Sequence, residues 1–499
     1  MTALIIHGHF YQPPRENPWT GDIDRQSSAA PYHDWNERIH SECYGPNAFA
    51  HIGAESEVIN NYRNISFNFG PTLLSWLDQH QPRTYKRLIE ADEQSASTRG
   101  GHGNAIAQAY GHAILPLCND RDRLTQVAWG LADFKFRFGR NPESLWLPET
   151  ACNDETLALL IEQGLRYVIL APDQAGQIRK TGSDHRWRPV PPGAIDTTCA
   201  YKYVSGKGSI AIFFYHGGLA RAIAFEKALT SSSGLVDRFV EVARTGELVN
   251  VATDGETYGH HFKFGDLCLA HALEVQAKQA GFWITNYGEY LDHHPPEIEV
   301  KINLGELGEG SSWSCVHGVS RWTRDCGCST GGQAGWNQRW REPLRRALNF
   351  LRDSAAANFE SASVDLFRDP WQARNAFIQV LLSPDSWVDF LSAQQQRMLS
   401  TTGETRARTL LEIQRFSLLM FTSCGWFFSD LAGLETVQIL RYASRLLELE
   451  KELGLHSPRT DFLEILAEAK SNDPRKGNGA DVFIRFAEEE RTADPTVEK

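Results

Sequence analysis

At 499 residues the chain exceeds what one ordinary hydrophobic core serves, and it suits a barrel-sized domain followed by a second one. Its 41% hydrophobic and 22% charged residues fit a globular protein able to bury a large core without metals or disulfides, and no apolar run approaches the thickness of a bilayer. The absence of such a run disfavours a membrane partner, and the 50 Lys and Arg against 62 Asp and Glu leave a net charge of -12, which disfavours nucleic acid and favours a neutral ligand.

The N-terminus enters a strand at once, with no basic leader, and the nine cysteines lack the spacing of a small disulfide framework. Both features predict reduced thiols and a cytoplasmic location. Residues 3–6 form that first strand, which delivers His7 and His9. Residues 15–60 are rich in Pro, Gly, Asn and charge and suit a binding loop or lid. A second strand at 65–69 alternates with period two, and helices follow at 72–79 and near 83–91. The glycine-punctuated stretch 101–112 reads as a loop carrying His112. Asp120 then caps a helix that Gly139 closes. A strand at 144–147 ends on Pro148 and Glu149, a helix through Leu157, Leu160 and Ile161 stops at Gly164, and a strand at 166–171 ends on Asp173. Strand, helix, strand at this spacing makes the two strands parallel. Further strands are expected at 210–215, before His216, and at 248–252.

That last strand opens the stretch on which the chain is organised, where an apolar run gives way to Asp254, Glu256, Tyr258, His260 and His261. Six apolar runs stop at polar clusters while helices alternate with them, which is the pattern of an α/β barrel whose reactive groups sit at the C-terminal ends of its strands. Residues 1–300 are assigned to this barrel, with an edge strand after Pro295 and Pro296. Residues 301–340 form a Gly-, Trp- and Cys-rich active-site loop region. Residues 341–488 form a helical domain, with helices at 371–382, 405–421 and 434–453, the last striped by Leu434, Val437, Leu440 and Leu447. Residues 489–499 read as a flexible tail.

His7-x-His9 with Gln12, then His112, then Trp146 to Glu149, then Asp254-x-Glu256-x-Tyr258 with His261, together resemble the ordered motifs of glycoside hydrolase family 57. The resemblance covers about the first three hundred residues and implies an incomplete (β/α)7-type barrel at the glycoside hydrolase/deacetylase mouth, followed by a mainly helical C-terminal domain. It also implies a retaining enzyme on α-glucans such as starch, glycogen or maltodextrins, of amylase, 4-α-glucanotransferase or branching type, with no cofactor. Glu149 matches the family's nucleophile and Asp254 its general acid/base, although a capping carboxylate is the competing reading of Glu149. A raised pKa on the acid requires apolar surroundings or a neighbouring negative charge, which Glu256 or Asp173 supplies. Substrate contacts are expected from His7, His9, Gln12, His112, Trp146, Asp173, Glu256, His260, His261, Trp313, Trp426 and Asp430. The chain departs from the common pattern in Phe10 and Tyr11 between His9 and Gln12, in the lack of an Arg-Asp pair at 213–218, and in the partial aromatic motif at 422–430.

Cys315, His317, Cys326 and Cys328 supply the donor types of a tetrahedral zinc site, but Cys326-x-Cys328 is tighter than the usual ligand gap. The loop is therefore read as a cover over the active site, with Trp313 or Trp322 touching substrate and no metal assigned. Two alternatives stand beside the leading one. One is a metal-dependent carbohydrate hydrolase or deacetylase using His7, His9, Asp254 and His260 as ligands. The other is a catalytically silent α-glucan-binding protein, against which the presence of both Glu149 and Asp254 weighs.

Overall fold

The computed structural model describes residues 1–53, 58–182 and 186–496. It divides into two compact units, the first built from residues 1–12, 35–109 and 134–316 and the second from 13–34, 110–133 and the chain from 317 onward.

The first unit is organised on seven parallel strands, β1 (Ala3–Phe10), β2 (Ser66–Phe69), β3 (Ala107–Gln108), β4 (Leu145–Trp146), β5 (Tyr167–Leu170), β6 (Gly208–Phe214) and β7 (Leu248–Asp254), and an eighth, Trp283–Ile284, lies parallel to the start of β1. β1 is central: it pairs with β7 from Ala3↔Leu248 to His9↔Asp254, and with β2 from His7↔Ser66 to Phe10↔Phe69. Because neighbours hold it along its whole length, β1 extends four residues past the strand expected from its apolar run, and all eight of its residues are buried. β3 pairs with β4, and β5 with β6. Single bridges, Phe67↔Ala105 and Ser144↔Tyr167, connect these pairs to the strands before and after them. β6 reaches β7 through the His216 amide on the Asn250 carbonyl at 2.7 Å and the Asn250 side chain on the Phe214 carbonyl at 3.1 Å. The ring order is complete but its ladder is interrupted, so the barrel is incomplete.

Helices alternate with the strands: Pro71–His80, Pro82–Thr98 and Asp154–Glu162 lie where helices are expected, the second running seven residues past 91, and Gly217–Phe225 and Ser232–Ala243 are helices that the sequence reading does not place. Gly139 and Gly164 adopt the left-handed conformation, at φ 69 and 76, where helices were expected to stop. Ile5, Trp146, Tyr167, Ile169, Phe213, Ala252 and Tyr287 belong to one buried cluster. The Tyr287 hydroxyl donates to Asn250 Oδ1 at 2.7 Å, which satisfies two polar groups in that interior. The expected edge strand is present at Ile298–Ile302, and it joins Ala175–Lys180 and Ala200–Ser205 in a side sheet beyond β6.

The second unit is helical around Arg341–Ala362, Thr401–Leu419 and Leu434–Glu452. Val437, Leu440 and Leu447 are buried as the stripe predicts, and Leu434 is half-buried. The helix expected over 371–382 is two, Pro370–Ala376 and Ile378–Leu382. Arg374 is buried and donates to Asp122 at 2.8 Å and to the Thr125 hydroxyl at 2.8 Å. The tail expected to be flexible is tied down as far as it is described: Arg441 donates to the Ala493 carbonyl at 2.6 Å and the Ser27 amide to Asp494 at 2.8 Å. Residues 497–499 of that tail lie outside the described residues. Among the described residues no helix is long and apolar enough to cross a membrane.

Candidate active site

Alternate residues of a strand share a face, and β1 uses this to place His7 and His9 side by side. Both rings stack on Trp146 from β4, at centroid distances of 4.8 Å each. Asn68 from β2 links them: its Oδ1 accepts from His7 Nε2 at 3.0 Å, and its Nδ2 donates to His9 Nδ1 at 3.0 Å. The same Nδ2 donates to Gln108 of β3 at 2.7 Å, and the Ser66 hydroxyl donates to His7 Nδ1 at 3.0 Å. This assignment leaves the His9 proton on Nε2. Burial pushes both imidazoles down to about 3, so both are neutral at physiological pH.

Trp146 is 1% exposed, which corrects its reading as a sugar platform: it is the surface against which the two histidines are packed. Phe10, one of the two departures from the family pattern, is fully buried and stacks on Phe69 at 4.8 Å. A Cβ at Gly255 would lie 2.3 Å from the Phe10 ring, so the glycine after Asp254 is what makes room for it. Tyr11 is half-buried, its ring stacked 5.8 Å from that of His9, and its backbone amide donates to Glu256 Oε1 at 3.0 Å.

Glu149 lies in the tight turn Pro148–Thr150 that follows β4, in the left-handed conformation at φ 59 and ψ 23. Such a backbone costs a non-glycine residue about 1–3 kcal/mol and persists where surrounding bonds over-determine it. Here Thr150 exchanges two hydrogen bonds of 2.8 Å with Gln174, and the Trp313 amide donates to the Glu149 carbonyl at 3.1 Å. The side chain is held as firmly, since Trp313 Nε1 and the Ser314 hydroxyl donate to Glu149 Oε2 at 3.1 and 2.8 Å. It does not cap the following helix, which is done by Asn153 accepting from the Thr156 amide at 2.9 Å.

Asp254 ends β7, and its pKa is raised well above the usual carboxylate range by burial first, then by the charge of Glu256, then by that of Glu149. Its side chain keeps surface open to solvent, and the adjacent Glu256 and Glu149 carboxylates add to the penalty on the charged form. Glu256 is buried and its Oε1 also accepts from the Tyr44 hydroxyl at 2.6 Å. Burial outweighs these hydrogen bonds and raises its pKa to about 7. Tyr215 faces the same charges, because Asp254 and Asp173 both raise its phenol after burial has done so. Its ring lies 6.2 Å from that of the half-buried Trp313.

The structure thus brings His7, His9, Glu149, Asp254, Glu256 and Trp313 together, and adds Asn68, Ser314 and Tyr215, which motif reading missed. Asp173 is exposed after β5. Gln12 is buried beside the Tyr44 hydroxyl. His260 is paired with Glu42, and the exposed His261 stands 5.1 Å from it, ring to ring.

Three expected contacts fall in the second unit and are structural there. His112 is buried, with Nδ1 2.7 Å from the Ser423 hydroxyl. Trp426 is fully buried beneath the Arg345 guanidinium, 4.3 Å from its ring, and has no face for a sugar. Asp430 accepts from the Ala432 amide, the Ser471 hydroxyl and the Asn472 amide at 2.9, 2.9 and 2.6 Å. Trp322 is likewise fully buried, donating to the Ser423 carbonyl at 3.1 Å. The alternative metal ligands do not converge: among the described residues, the cluster of His, Cys, Asp and Glu side chains able to hold an ion contains none of His7, His9, Asp254 or His260.

Parallel strands in an interrupted ring, with carboxylates at their C-terminal ends, define an enzyme of the α/β-barrel class. The family model of glycosyl hydrolase family 57 matches residues 6–303, and that of a domain of unknown function (DUF3536) matches residues 336–498. The chain belongs to glycosyl hydrolase family 57. It is similar to an alpha-amylase 1 of Dictyoglomus thermophilum, 24% identical over 21% of this chain and 15% of the relative. It is 21% identical to a 4-alpha-glucanotransferase of Thermococcus litoralis over 52% of this chain and 37% of that one, so it spans well under half of either relative. Its fold resembles that of an exo-type maltose-forming amylase from Pyrococcus sp. ST04, with a TM-score of 0.68 and 16% identity, over 93% of this chain and 82% of the other.

Proposed function

We propose that the protein is a retaining enzyme acting on α-glucans, a hydrolase or transglycosylase of the amylase, 4-α-glucanotransferase or branching type. The observation that carries this reading is the unequal treatment of two carboxyl groups. Two hydrogen-bond donors hold Glu149 Oε2, which favours a carboxylate, whereas burial and two negative neighbours favour the acid form of Asp254. The names of the curated relatives support the substrate class.

In the first step Asp254 gives its proton to the glycosidic oxygen while a Glu149 oxygen bonds to the anomeric carbon and the C–O bond to the leaving sugar breaks. Forming the ester removes the Glu149 charge. The Asp254 pKa then falls, because one of the charges that raised it is gone. Asp254 becomes a competent base in the second step, taking a proton from water or a sugar hydroxyl as that oxygen displaces Glu149. The neutral His9, held by Asn68, adds a polar group to this site at no cost in charge, while the fully buried His7, with both ring nitrogens bonded to Ser66 and Asn68, positions that asparagine; Trp313 and Tyr215 add aromatic surface beside it.

The test is product analysis of wild type, Glu149→Gln and Asp254→Asn on maltoheptaose and on glycogen. Shortened or rearranged chains with wild type, and none with either variant, support the reading, and the product pattern names the reaction. Wild type that binds both glucans and changes neither overturns it in favour of a binding protein.

A further inference from the structure

The segment after Ser314 gathers three thiols and an imidazole that the glycosidase reading leaves unused. The ligand atoms of Cys315, His317, Cys326 and Cys328 all lie within 4.8 Å of one another, and Cys328 Sγ is 3.6 Å from His317 Nδ1. Zn–S bonds of about 2.3 Å and a Zn–N bond of about 2.0 Å at the tetrahedral angle put neighbouring ligand atoms roughly 3.5–3.8 Å apart. The Cys328–His317 pair already has that spacing, and the rest of the set closes on it by about 1 Å of side-chain movement. The tight Cys326-x-Cys328 spacing, which counted against a metal in the sequence, is resolved by the residue between them. Gly327 adopts φ +81, a left-handed turn that lets both sulfurs face one point, and a Cβ there would meet nothing within 4 Å, so backbone conformation alone explains the glycine. The Arg341 guanidinium donates to the Cys328 carbonyl at 2.7 Å, fixing the last ligand's backbone. All nine cysteines, these three included, stand as thiols.

We infer that Cys315, His317, Cys326 and Cys328 bind one structural Zn²⁺ as a Cys3His site. On binding, the three thiols lose three protons and the imidazole coordinates through Nδ1, giving a four-coordinate centre of net charge -1 with no position open to water. Its consequence lies one residue upstream. The chain at Ser311 pairs with Cys152 through amide–carbonyl bonds of 2.9 and 3.0 Å, Trp313 and Ser314 then bond Glu149, and Cys315 follows directly as the first ligand. The metal therefore anchors the end of the segment that holds the Glu149 carboxylate, and Trp313 and Ser314 are the positioning residues through which it acts.

The full-length protein, purified under reducing conditions and desalted, is expected to carry one zinc per chain by elemental analysis and to release it to a mercury thiol reagent in step with three thiols. Cobalt reconstitution should give the intense thiolate-to-metal absorption of a tetrahedral site, and Cys326→Ser with Cys328→Ser should abolish both signals. Because those variants could lose structure, the wild-type measurement decides alone. A reduced wild-type chain that holds no metal and takes up neither zinc nor cobalt overturns the inference, as does iron in place of zinc or a disulfide among the three cysteines by mass spectrometry. None of these readouts uses glucan turnover, so failure of the metal site and failure of the proposed activity are separable. With the site confirmed, metal removal should also speed trypsin cleavage after Arg324.

Discussion

Replacing Glu256 by Gln removes a negative charge beside Asp254 while keeping an Oε1 that accepts from the Tyr11 amide and the Tyr44 hydroxyl. The fold has no reason to change, so the variant isolates an electrostatic effect. Like charges about 6 Å apart at an effective dielectric of ~20 repel by roughly 3 kcal/mol. At about 1.4 kcal/mol per pKa unit this is a shift of ~2 units for a fully ionised neighbour. Glu256 itself titrates at about 7, so near neutrality it is only part-ionised. The expected shift is therefore about one unit. The sign follows from the direction of the Asp254 shift: Glu256 raises that pKa, so its removal lowers it. The acid then deprotonates earlier, and the basic limb of the kcat/KM–pH profile on maltoheptaose moves to lower pH. An unmoved basic limb, or one moved to higher pH, with the variant folded and active, refutes Asp254 as the acid whose proton Glu256 retains.

Further outcomes follow from the same geometry. Glu149→Ala should lower kcat by at least about 10⁴-fold, as loss of a covalent nucleophile does, with an unchanged circular dichroism spectrum. Asp254→Asn should cost about 10²–10⁴-fold on natural glucans and much less on substrates whose leaving group needs no proton, such as glycosyl fluorides. Trp313→Phe and Ser314→Ala each delete one bond to a charged acceptor, worth about 1.5–3 kcal/mol, so each should lower kcat by roughly 10–100-fold, read by steady-state kinetics. Arg374→Met should destabilise the protein by about 3 kcal/mol in urea denaturation, the low end for breaking a buried pair. The low end applies because Arg352 remains 3.9 Å from the abandoned Asp122.

Much of the fold was legible because apolar runs and glycine stops report local physics, although the cap expected at Asp120 is made one residue earlier, by Asn119 accepting from the Asp122 amide at 2.9 Å. β2, β5, β6 and β7, and the helix ends at Gly139 and Gly164, fall where these signals put them. β3 escaped because a two-residue strand shows no alternation, and β1 was read short because pairing on both edges, not apolar content, carries it through His9 and Phe10. At the site, Asp254 and Glu256 announced themselves as carboxylates after a buried strand. The left-handed backbone of Glu149 left no mark in sequence, since no glycine stands there. Trp146 was misread because composition does not say which way an aromatic residue points, and here it packs beneath two histidines. Trp426 and Asp430 were assigned by motif alone, and packing decides otherwise for both. Ser314 was passed over because a serine in a glycine-rich loop carries no signal until the loop is seen against its carboxylate.

If Glu149 is the nucleophile it forms a covalent bond to sugar, and that bond can be trapped. The wild-type protein would be incubated with a 5-fluoro-α-glucosyl fluoride, digested, and its peptides mapped by mass spectrometry. One added fluoroglucosyl group is expected on the peptide containing Glu149, absent from Glu149→Gln. Turnover of glucan with no adduct, or an adduct on a different carboxylate, would contradict that role.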